Sequence, residues 1–336
     1  QDTSVIPDGT TTLTVIHTDA VGNAAPAVTV TALKDTVVPT LAITGPSGSV
    51  SGAFTATFTF SEDIQNFDLS DITVGNGTAS NLQSVSASGD DMSGPAVVAA
   101  MRVFAATITP ASDGAVTVDV AGSAAQDDAG NANTAATQFS VTNDATAPVA
   151  TNVEFVTTGG TPTASDTLMW AVTFSEDVTN VSANDFALTG TTGTVTTVDT
   201  PQPNVVVVTA SGGDLANLDG QVTLTLAGGS ALSDAAGNTP ADLTVQSGGT
   251  DQRTVYLDNT APTLTSVVHH RPLTSPTDSD TLTWRVSFSE FVNGVDAGDS
   301  TFSGTTATLS VSTPSAGPDV PAAATTAQST NNTFDV

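Results

Sequence analysis

The chain has 336 residues, of which five are lysine or arginine and 34 are aspartate or glutamate, so its formal net charge is -29. Such a charge repels nucleic acid and anionic lipid headgroups and attracts cations, which sets aside nucleic-acid binding and a basic membrane anchor. Cysteine is absent, which excludes disulfides and thiol chemistry, and no apolar run reaches the 18 residues that a membrane-spanning helix needs.

Three short motifs recur along the chain at nearly one period. Phe-Ser-Glu occupies residues 60–62, 174–176 and 288–290, with 114 residues between copies. Asp-x-x-Gly-Asn occupies residues 19–23, 127–131 and 234–238, at intervals of 108 and 107. A linker of the form Asp-x-x-x-Pro follows at residues 35–39, 144–148 and 258–262. Independent markers that share a period indicate a repeat array of modules of roughly 110 residues.

Within a module, apolar residues alternate with polar ones. Phe54, Ala56, Phe58 and Phe60 alternate with threonines, which is the pattern of a strand with one buried face. We predict further strands over residues 71–74, 103–109, 115–120 and 138–141, separated by Gly, Asn, Asp and Pro clusters. The same spacing places Trp170 and Trp284 on the inward face, so we interpret both as core residues. The predicted fold class is all-β, with tandem immunoglobulin-like (Ig-like) β-sandwich modules in an elongated array.

The segments 58–64, 67–74, 113–120 and 127–131 resemble the bacterial Ig-like repeats of giant secreted and cell-surface adhesins. The resemblance covers residues 39–262 well and both ends in part. It implies an extracellular or cell-surface multi-domain protein that is stiffened by calcium. Similar modules serve mainly as stalks and spacers, with the binding tip elsewhere, and a host or biofilm surface ligand is an expected partner of the protein.

Strand direction predicts where the recurrent acidic residues meet. In a sandwich of alternating strands, the linker, the Phe-Ser-Glu loop and the Asp-x-x-Gly-Asn loop lie at one end of the module. Such carboxylates would repel one another, and Ca²⁺ takes six to eight oxygen ligands, so we predict Ca²⁺ at the module junctions. The predicted metal ligands are Asp35, Glu62, Asp63 and Asp127 in one module, Asp144, Glu176, Asp177 and Asp234 in the next, Asp258 and Glu290 in the last, and Asp19 in the first.

Two simpler explanations stay open for these acidic residues. An aspartate before a turn often caps its own backbone, and Gly22, Gly130 and Gly237 suit a turn that needs positive φ. The general acidity also serves to keep a long polymer soluble. In the last module, Phe291 stands where the others carry Asp63 and Asp177, which predicts a poorer site there.

Enzyme chemistry is not expected. The chain has three histidines and no cysteine, and no Gly-x-Ser-x-Gly elbow, P-loop, dinucleotide fingerprint or EF-hand loop occurs. Catalytic carboxylate pairs are not expected to recur in every module, whereas structural ones are.

The linker prolines divide the chain into four predicted segments. Residues 1–38 form the C-terminal part of an Ig-like module, 39–148 and 149–262 form complete modules, and 263–336 form the N-terminal part of another. Two explanations are open for these partial modules. Either the chain is a window on a longer array, in which its partners are adjoining repeats, or residues 1–38 of one copy complete residues 263–336 of another copy in a self-assembling filament or sheath.

Overall fold

The structure is a computed structural model that describes residues 6–85, 102–246, 248–301, 303, 308–312 and 332–336. Each of the four predicted segments includes residues outside these ranges. Among the described residues there are 19 strands and a few short 3-10 helices, and no helix is long and apolar enough to cross a membrane. The all-β prediction is therefore confirmed.

Residues 39–148 build two facing sheets. One sheet has the strand order β3-β4-β7-β6 and the other has the order β5-β8-β9. The strands are β3 (Leu41–Thr44), β4 (Phe54–Phe60), β5 (Ile72–Gly75), β6 (Gly77–Ser84), β7 (Val103–Pro110), β8 (Gly114–Val120) and β9 (Phe139–Asn143). β4 alternates buried and less buried residues along its whole length, as the sequence pattern predicts.

The core of this module lies between the two sheets. Phe58 from β4 and Val116 and Val118 from β8 are fully buried there. Four phenylalanines, Phe58, Phe60, Phe67 and Phe104, stack with tilted or edge-on rings whose centroids lie 5.1–6.1 Å apart. Because burial of aromatic surface dominates core energetics, this cluster stabilises the end of the sandwich that carries the Phe-Ser-Glu loop.

One predicted strand begins later than expected. Asp71 ends a short 3-10 helix, Leu69–Asp71, and β5 begins only at Ile72. The side chain of Asp68 accepts from the Ser70 backbone, and Asp71 accepts from the Asp68 backbone. This reciprocal capping offers the backbone a local alternative to the strand.

Residues 149–257 repeat the arrangement. The strand orders are β10-β11-β14-β13 and β12-β15-β16. The strands are β10 (Ala150–Phe155), β11 (Thr167–Phe174), β12 (Phe186–Thr189), β13 (Thr194–Gln202), β14 (Val205–Ser211), β15 (Gly220–Leu226) and β16 (Thr254–Leu257). Trp170 is fully buried, which confirms its interpretation as a core residue.

The two ends of the chain contribute single sheets. β1 (Gly9–Val15) pairs with β2 (Val28–Lys34), and β17 (Leu264–Arg271), β18 (Thr283–Phe288) and β19 (Thr333–Asp335) form a three-stranded sheet. The chain groups into two compact units. One comprises Gln1–Thr161, Ser165–Leu215 and Gln221–Val255, and the other comprises Pro162–Ala164, Ala216–Gly220 and Tyr256–Val336.

Candidate metal centres

The serine of each Phe-Ser-Glu motif bonds its loop to the residue that directly follows the linker proline. The Ser61 backbone N–H donates to the Thr40 carbonyl at 2.9 Å, and the Thr40 N–H donates to Ser61 Oγ at 3.0 Å. The same pair of bonds joins Ser175 to Val149 and Ser289 to Thr263. Sequence reasoning gave roles to the Phe and the Glu and missed the Ser, although its presence in all three copies was a usable signal.

The Asp-x-x-Gly-Asn loop is a closed turn. Asp127 Oδ1 accepts from the backbone of Ala129 at 2.9 Å and of Asn131 at 2.8 Å, and its Oδ2 accepts from Asn131 Nδ2 at 2.8 Å. Gly130 has a φ of 88°, in the left-handed region that favours glycine. Asp234 makes the same set of bonds, so the predicted turn chemistry is present in both loops.

The asparagine of this loop also reaches the linker. Asn131 Nδ2 donates to the Asp35 carbonyl at 3.3 Å, and Asn238 Nδ2 donates to the Asp144 carbonyl at 2.8 Å. Each linker aspartate is therefore held beside the loop aspartate by a bond to its backbone, and its carboxylate does not take part in that bond.

These bonds bring three carboxylates together at each of two junctions. In the first acidic cluster, oxygens of Asp35, Glu62 and Asp127 all lie within 4.8 Å of one another. In the second acidic cluster, the same holds for Asp144, Glu176 and Asp234. The loop aspartate is buried in both clusters, with Asp127 5% and Asp234 3% exposed.

This arrangement raises the pKa of the glutamate in each cluster. Burial raises the pKa of Glu62, and the charges of Asp127 and Asp35 raise it further. Burial likewise raises the pKa of Glu176, with additional contributions from Asp144 and Asp234. At Asp127, burial opposes the charge, but hydrogen bonds led by the Asn131 side chain outweigh it and hold the pKa below its usual value.

The oxygens fit a hard divalent cation. Glu62 Oε1 is buried and has no hydrogen-bond partner among the residues that the structure describes. Asp127 uses three of the roughly four acceptor positions of a carboxylate, which leaves room for a ligand bond. Carboxylate oxygens are ligands that Ca²⁺ prefers, and the three in each cluster would supply half of its smallest usual shell.

Other predicted ligands lie elsewhere. Asp63 pairs with Arg102, with 2.5 Å between Oδ1 and Nε, and the described residues place neither Asp63 nor Asp177 in a cluster of three acids. Asp19 caps its own exposed loop with the bonds seen at Asp127. Asp258 and Glu290 belong to no group of three among the described residues, yet Glu290 Oε1 is buried without a partner.

An aspartate that sequence reasoning did not single out as a site residue holds the linker from the other side. Asp113 Oδ1 accepts from the Ala145 backbone at 2.7 Å, and its Oδ2 accepts from Thr146 Oγ1 at 2.6 Å. Asp8 accepts from Thr36 Oγ1, and Asp219 accepts from the Asn259 backbone. The signal was an Asp-Gly pair that recurs at residues 8, 113 and 219. The linker is thus bonded to the module before it as well as to the module after it.

Removing this bond is expected to loosen the linker. In Asp113→Ala, the Ala145 amide loses its acceptor. We expect its hydrogen exchange to quicken by about tenfold, because exchange requires a hydrogen-bonded amide to open first and this amide is then unpaired. Asp119→Ala is the matched control, because Asp119 lies on β8, which directly follows Asp113, and its carboxylate accepts from Gln138 alone among the described residues. Equal exchange at Ala145 in both variants would show that Asp113 does not hold the linker.

The raised pKa of Glu176 predicts a pH dependence. In chelator, the folded protein binds a proton at Glu176 more tightly than the unfolded chain does. Ionisation of Glu176 therefore lowers the free energy of unfolding as the pH rises above the usual value near 4.5 and through the raised pKa. Glu176→Gln does not titrate, so its stability relative to wild type is expected to increase over this range. Hydrogen exchange of β11 between about pH 4 and 7 measures this difference, and a constant difference would contradict it.

The fold and the junctions define a class of protein: Ig-like sandwich modules joined by short acidic linkers. Residues 35–143 match the family model described as a bacterial Ig-like domain. The match begins at Asp35 and ends one residue before Asp144, so it covers one complete period of the array.

Solved structures give a more distant comparison. An Escherichia coli adhesin named FdeC is 14% identical over 69% of this chain and 68% of its own, with a TM-score of 0.37. Invasin, a bacterial integrin-binding protein, is 13% identical over 84% of this chain, with a TM-score of 0.34. This chain covers about half of the invasin chain, 53%. A comparison with curated proteins finds no match.

Proposed function

We propose that the protein is an extracellular structural and adhesive repeat protein of a bacterial surface, whose Ig-like modules form a stalk stiffened by Ca²⁺. The observation that carries this proposal is the composition of the acidic clusters. Each of the two joins one linker carboxylate to two loop carboxylates of the module that follows. A ligand at this place acts on the angle between modules.

The linker residues explain how such a site would stiffen the array. Asp113 fixes residues 145 and 146 to one module, while Glu176 and Asp234 face Asp144 from the next. Without a cation, the three carboxylates repel one another and favour separation of linker and loops. A bound Ca²⁺ would supply the positive charge that offsets this repulsion and would hold the linker against both loops.

The location and the partners follow from the class of module. A bacterial Ig-like domain in a cysteine-free, acidic array suits a spacer outside the cell, where calcium is plentiful. We assign the modules the role of a spacer, and we propose a host or biofilm surface ligand as a partner of the protein. We assign no catalysis to the acidic clusters, because the same set of residues recurs at both junctions.

Calorimetric titration of the chain with calcium chloride tests the site. We expect two binding events per chain from the two acidic clusters, and weaker binding of Mg²⁺, which demands stricter octahedral geometry. Chelation should leave the far-ultraviolet circular dichroism unchanged, because each module has its own core. A titration without saturable calcium binding would refute the proposal.

A second candidate function is a self-assembling filament or sheath, in which residues 1–38 of one copy complete residues 263–336 of another. The described residues support it through apolar side chains that are exposed on β1 and β2 and less buried on β18 than on β11. Leu13 and Val30, which are cross-strand partners on β1 and β2, are 65% and 64% exposed. On β18, Trp284 is only half-buried, whereas its counterpart Trp170 is fully buried. Electron microscopy of the purified chain distinguishes continuous fibres from separate beaded rods.

A further inference from the structure

A cavity of about 510 Å³ lies at the hairpin that joins β17 to β18. Its volume falls within the range of roughly 300–1,000 Å³ that small-molecule sites occupy. The residues that line it are all described, and they belong to the strand ends and the connection between them: Arg271, Pro272, Leu273, Ser279, Thr281 and Thr283. The cavity therefore combines one cation with hydroxyl groups and two apolar side chains.

The cavity lies on the outer face of its sheet. Thr283 directly precedes Trp284, and successive residues of a strand point to opposite faces. Trp284 corresponds to Trp170, which faces the core of its own module, so Thr283 faces away from the core side. Arg271 is the cross-strand partner of Thr283 and shares its face. What covers the Trp284 side of the sheet therefore does not bear on the cavity.

The guanidinium group of Arg271 is free to bind a ligand. The other three arginines of the chain form ion pairs with Asp63, Asp251 and Asp335. The Arg271 side chain is exposed and makes neither an ion pair nor a hydrogen bond with any residue that the structure describes. In a chain with a formal charge of -29, such a cation attracts the anions that the rest of the surface repels.

Asp335 does not neutralise Arg271. It accepts two hydrogen bonds from Arg285, from Nε at 2.8 Å and from Nη2 at 3.0 Å. The bond with Arg285 lowers the pKa of Asp335, and the charges of His270 and Arg271 lower it further. One carboxylate thus lies among two guanidinium groups and an imidazole, so this part of the surface is positive on balance.

Two hydroxyl groups of the cavity are also available. The side chains of Thr281 and Thr283 form no hydrogen bond within the described parts of the chain, whereas Ser279 Oγ donates to the Thr281 carbonyl at 2.8 Å. The Cβ atoms of a cross-strand pair lie about 5 Å apart, so Arg271 and Thr283 are close enough to contact one small ligand together.

The counterpart hairpin of the preceding module lacks these features. Its connection, residues 156–166, contains no lysine, arginine or histidine. Met169 precedes Trp170 and so takes the place of Thr283, and the Thr157 hydroxyl accepts from the Met169 amide at 2.8 Å. The cation and the available hydroxyls are therefore not features that each module needs in order to fold.

We propose that this cavity binds an anionic sugar, with the sugar carboxylate on Arg271 and sugar hydroxyls on Thr281 and Thr283. The planar guanidinium group matches a carboxylate through two parallel hydrogen bonds. Pro272 and the 87% exposed Leu273 offer apolar contact to the carbon atoms of a sugar ring. The site rests on the proposed function, because it gives a chemical class to the surface ligand named there.

Titration of the isotopically labelled full chain, followed by nuclear magnetic resonance, tests the site. Two acidic sugars serve as probes: sialyllactose for a terminal acidic sugar, and digalacturonic acid for a uronic-acid chain. Excess chelator keeps Ca²⁺ away from the acidic clusters and the sugars. We expect saturable shifts at the Arg271 Nε–H and the β18 amides with at least one probe, which identifies the source. Lactose, which lacks the carboxylate, should leave these signals unchanged.

Variants assign the contacts. Arg271→Gln should raise the apparent dissociation constant of the bound sugar by at least about tenfold, because it removes a charge-assisted pair. Arg271→Lys keeps the charge without the planar fork and should retain part of the affinity. Thr283→Val removes a hydroxyl and should weaken binding by about two- to tenfold. Arg253→Gln is the matched control, because it removes the same charge from another module.

Hydrogen exchange of β17 and β18 distinguishes a lost contact from a misfolded hairpin. We expect wild-type exchange in Arg271→Gln, since the exposed Arg271 side chain bonds no other described residue. The anionic-sugar site is overturned if neither probe binds, if Arg271→Gln binds equally well, or if lactose or the acidic peptide tetraglutamate binds as tightly as the probes. The sugar titration and the calcium titration fail independently, so the loss of one leaves the other standing.

Discussion

Replacement of Trp170 by alanine is expected to destabilise its module by about 3–5 kcal/mol, the usual cost of removing a large buried aromatic side chain. Trp170 is fully buried, and its ring centroid lies 5.6 Å from that of Phe155. Its Nε1 also donates to the Gln252 carbonyl at 3.1 Å, so the variant leaves a polar group without its partner. Hydrogen exchange of β11 and β14 measures the loss within this module.

Trp284→Ala is the matched control. Trp284 occupies the corresponding place on β18, next to His269, but is only half-buried in the single chain. We therefore expect a clearly smaller loss of stability in its own sheet than Trp170→Ala causes in β11. Equal losses at both positions would contradict the view that the lower burial of Trp284 reduces its contribution to stability.

Glutamine at position 176 is expected to weaken calcium binding at the second acidic cluster by about tenfold or more, because it removes one of three charged ligands. Glu62→Gln should do the same at the first cluster. The chain has four glutamates, three of which belong to Phe-Ser-Glu motifs, so Glu154→Gln is the control. Calorimetry of each variant should show one of the two binding events weakened and the other preserved.

The two acidic clusters should also differ in affinity. Arg102 lies close enough to Glu62 to lower its pKa, whereas Asp113 raises the pKa of Glu176. The first cluster thus has a positive neighbour, and the second has an additional negative one. We expect the second cluster to bind calcium more tightly. Unchanged calcium binding in both Glu62→Gln and Glu176→Gln would show that the clusters hold no cation.

Much of the fold could be predicted because its cause is local and periodic. A strand with one buried face shows an alternation of period two, and Phe54 to Phe60 displays it without interruption. The start of β5 could not be predicted from this alternation, because Asp68 and Asp71 form a capping box whose hydrogen bonds compete with the strand. Composition alone does not decide which alternative the backbone takes.

The members of the acidic clusters were predictable only in part. Glu62 and its neighbour Asp63 both recur in the next module, so recurrence predicted both as metal ligands. The side chains of adjacent residues, however, point in different directions. Glu62 faces the cluster, and Asp63 pairs with Arg102. That choice depends on Arg102, a residue 39 positions later whose backbone place is taken by Asn204 in the next module. An ion pair between residues so far apart in the chain cannot be predicted from the spacing of neighbouring residues.

From the sequence, turn capping and metal binding were alternative explanations of the aspartate in the Asp-x-x-Gly-Asn loop. The geometry of the loop is compatible with both. The oxygens of Asp127 accept three hydrogen bonds inside the loop and still lie beside Asp35 and Glu62. The turn therefore orients the carboxylate towards the linker. We propose that calcium binds at this place and that the bound ion stiffens the junction between linker and loops.

Small-angle X-ray scattering of the full chain, with calcium and then with excess chelator, tests this consequence most directly. The account predicts a sharply defined maximum dimension in calcium and a more flexible scattering profile with a changed maximum dimension in chelator, while circular dichroism stays constant. The variant that combines Glu62→Gln with Glu176→Gln should scatter in calcium as wild type does in chelator. An identical wild-type profile in both conditions would contradict calcium stiffening of the junctions.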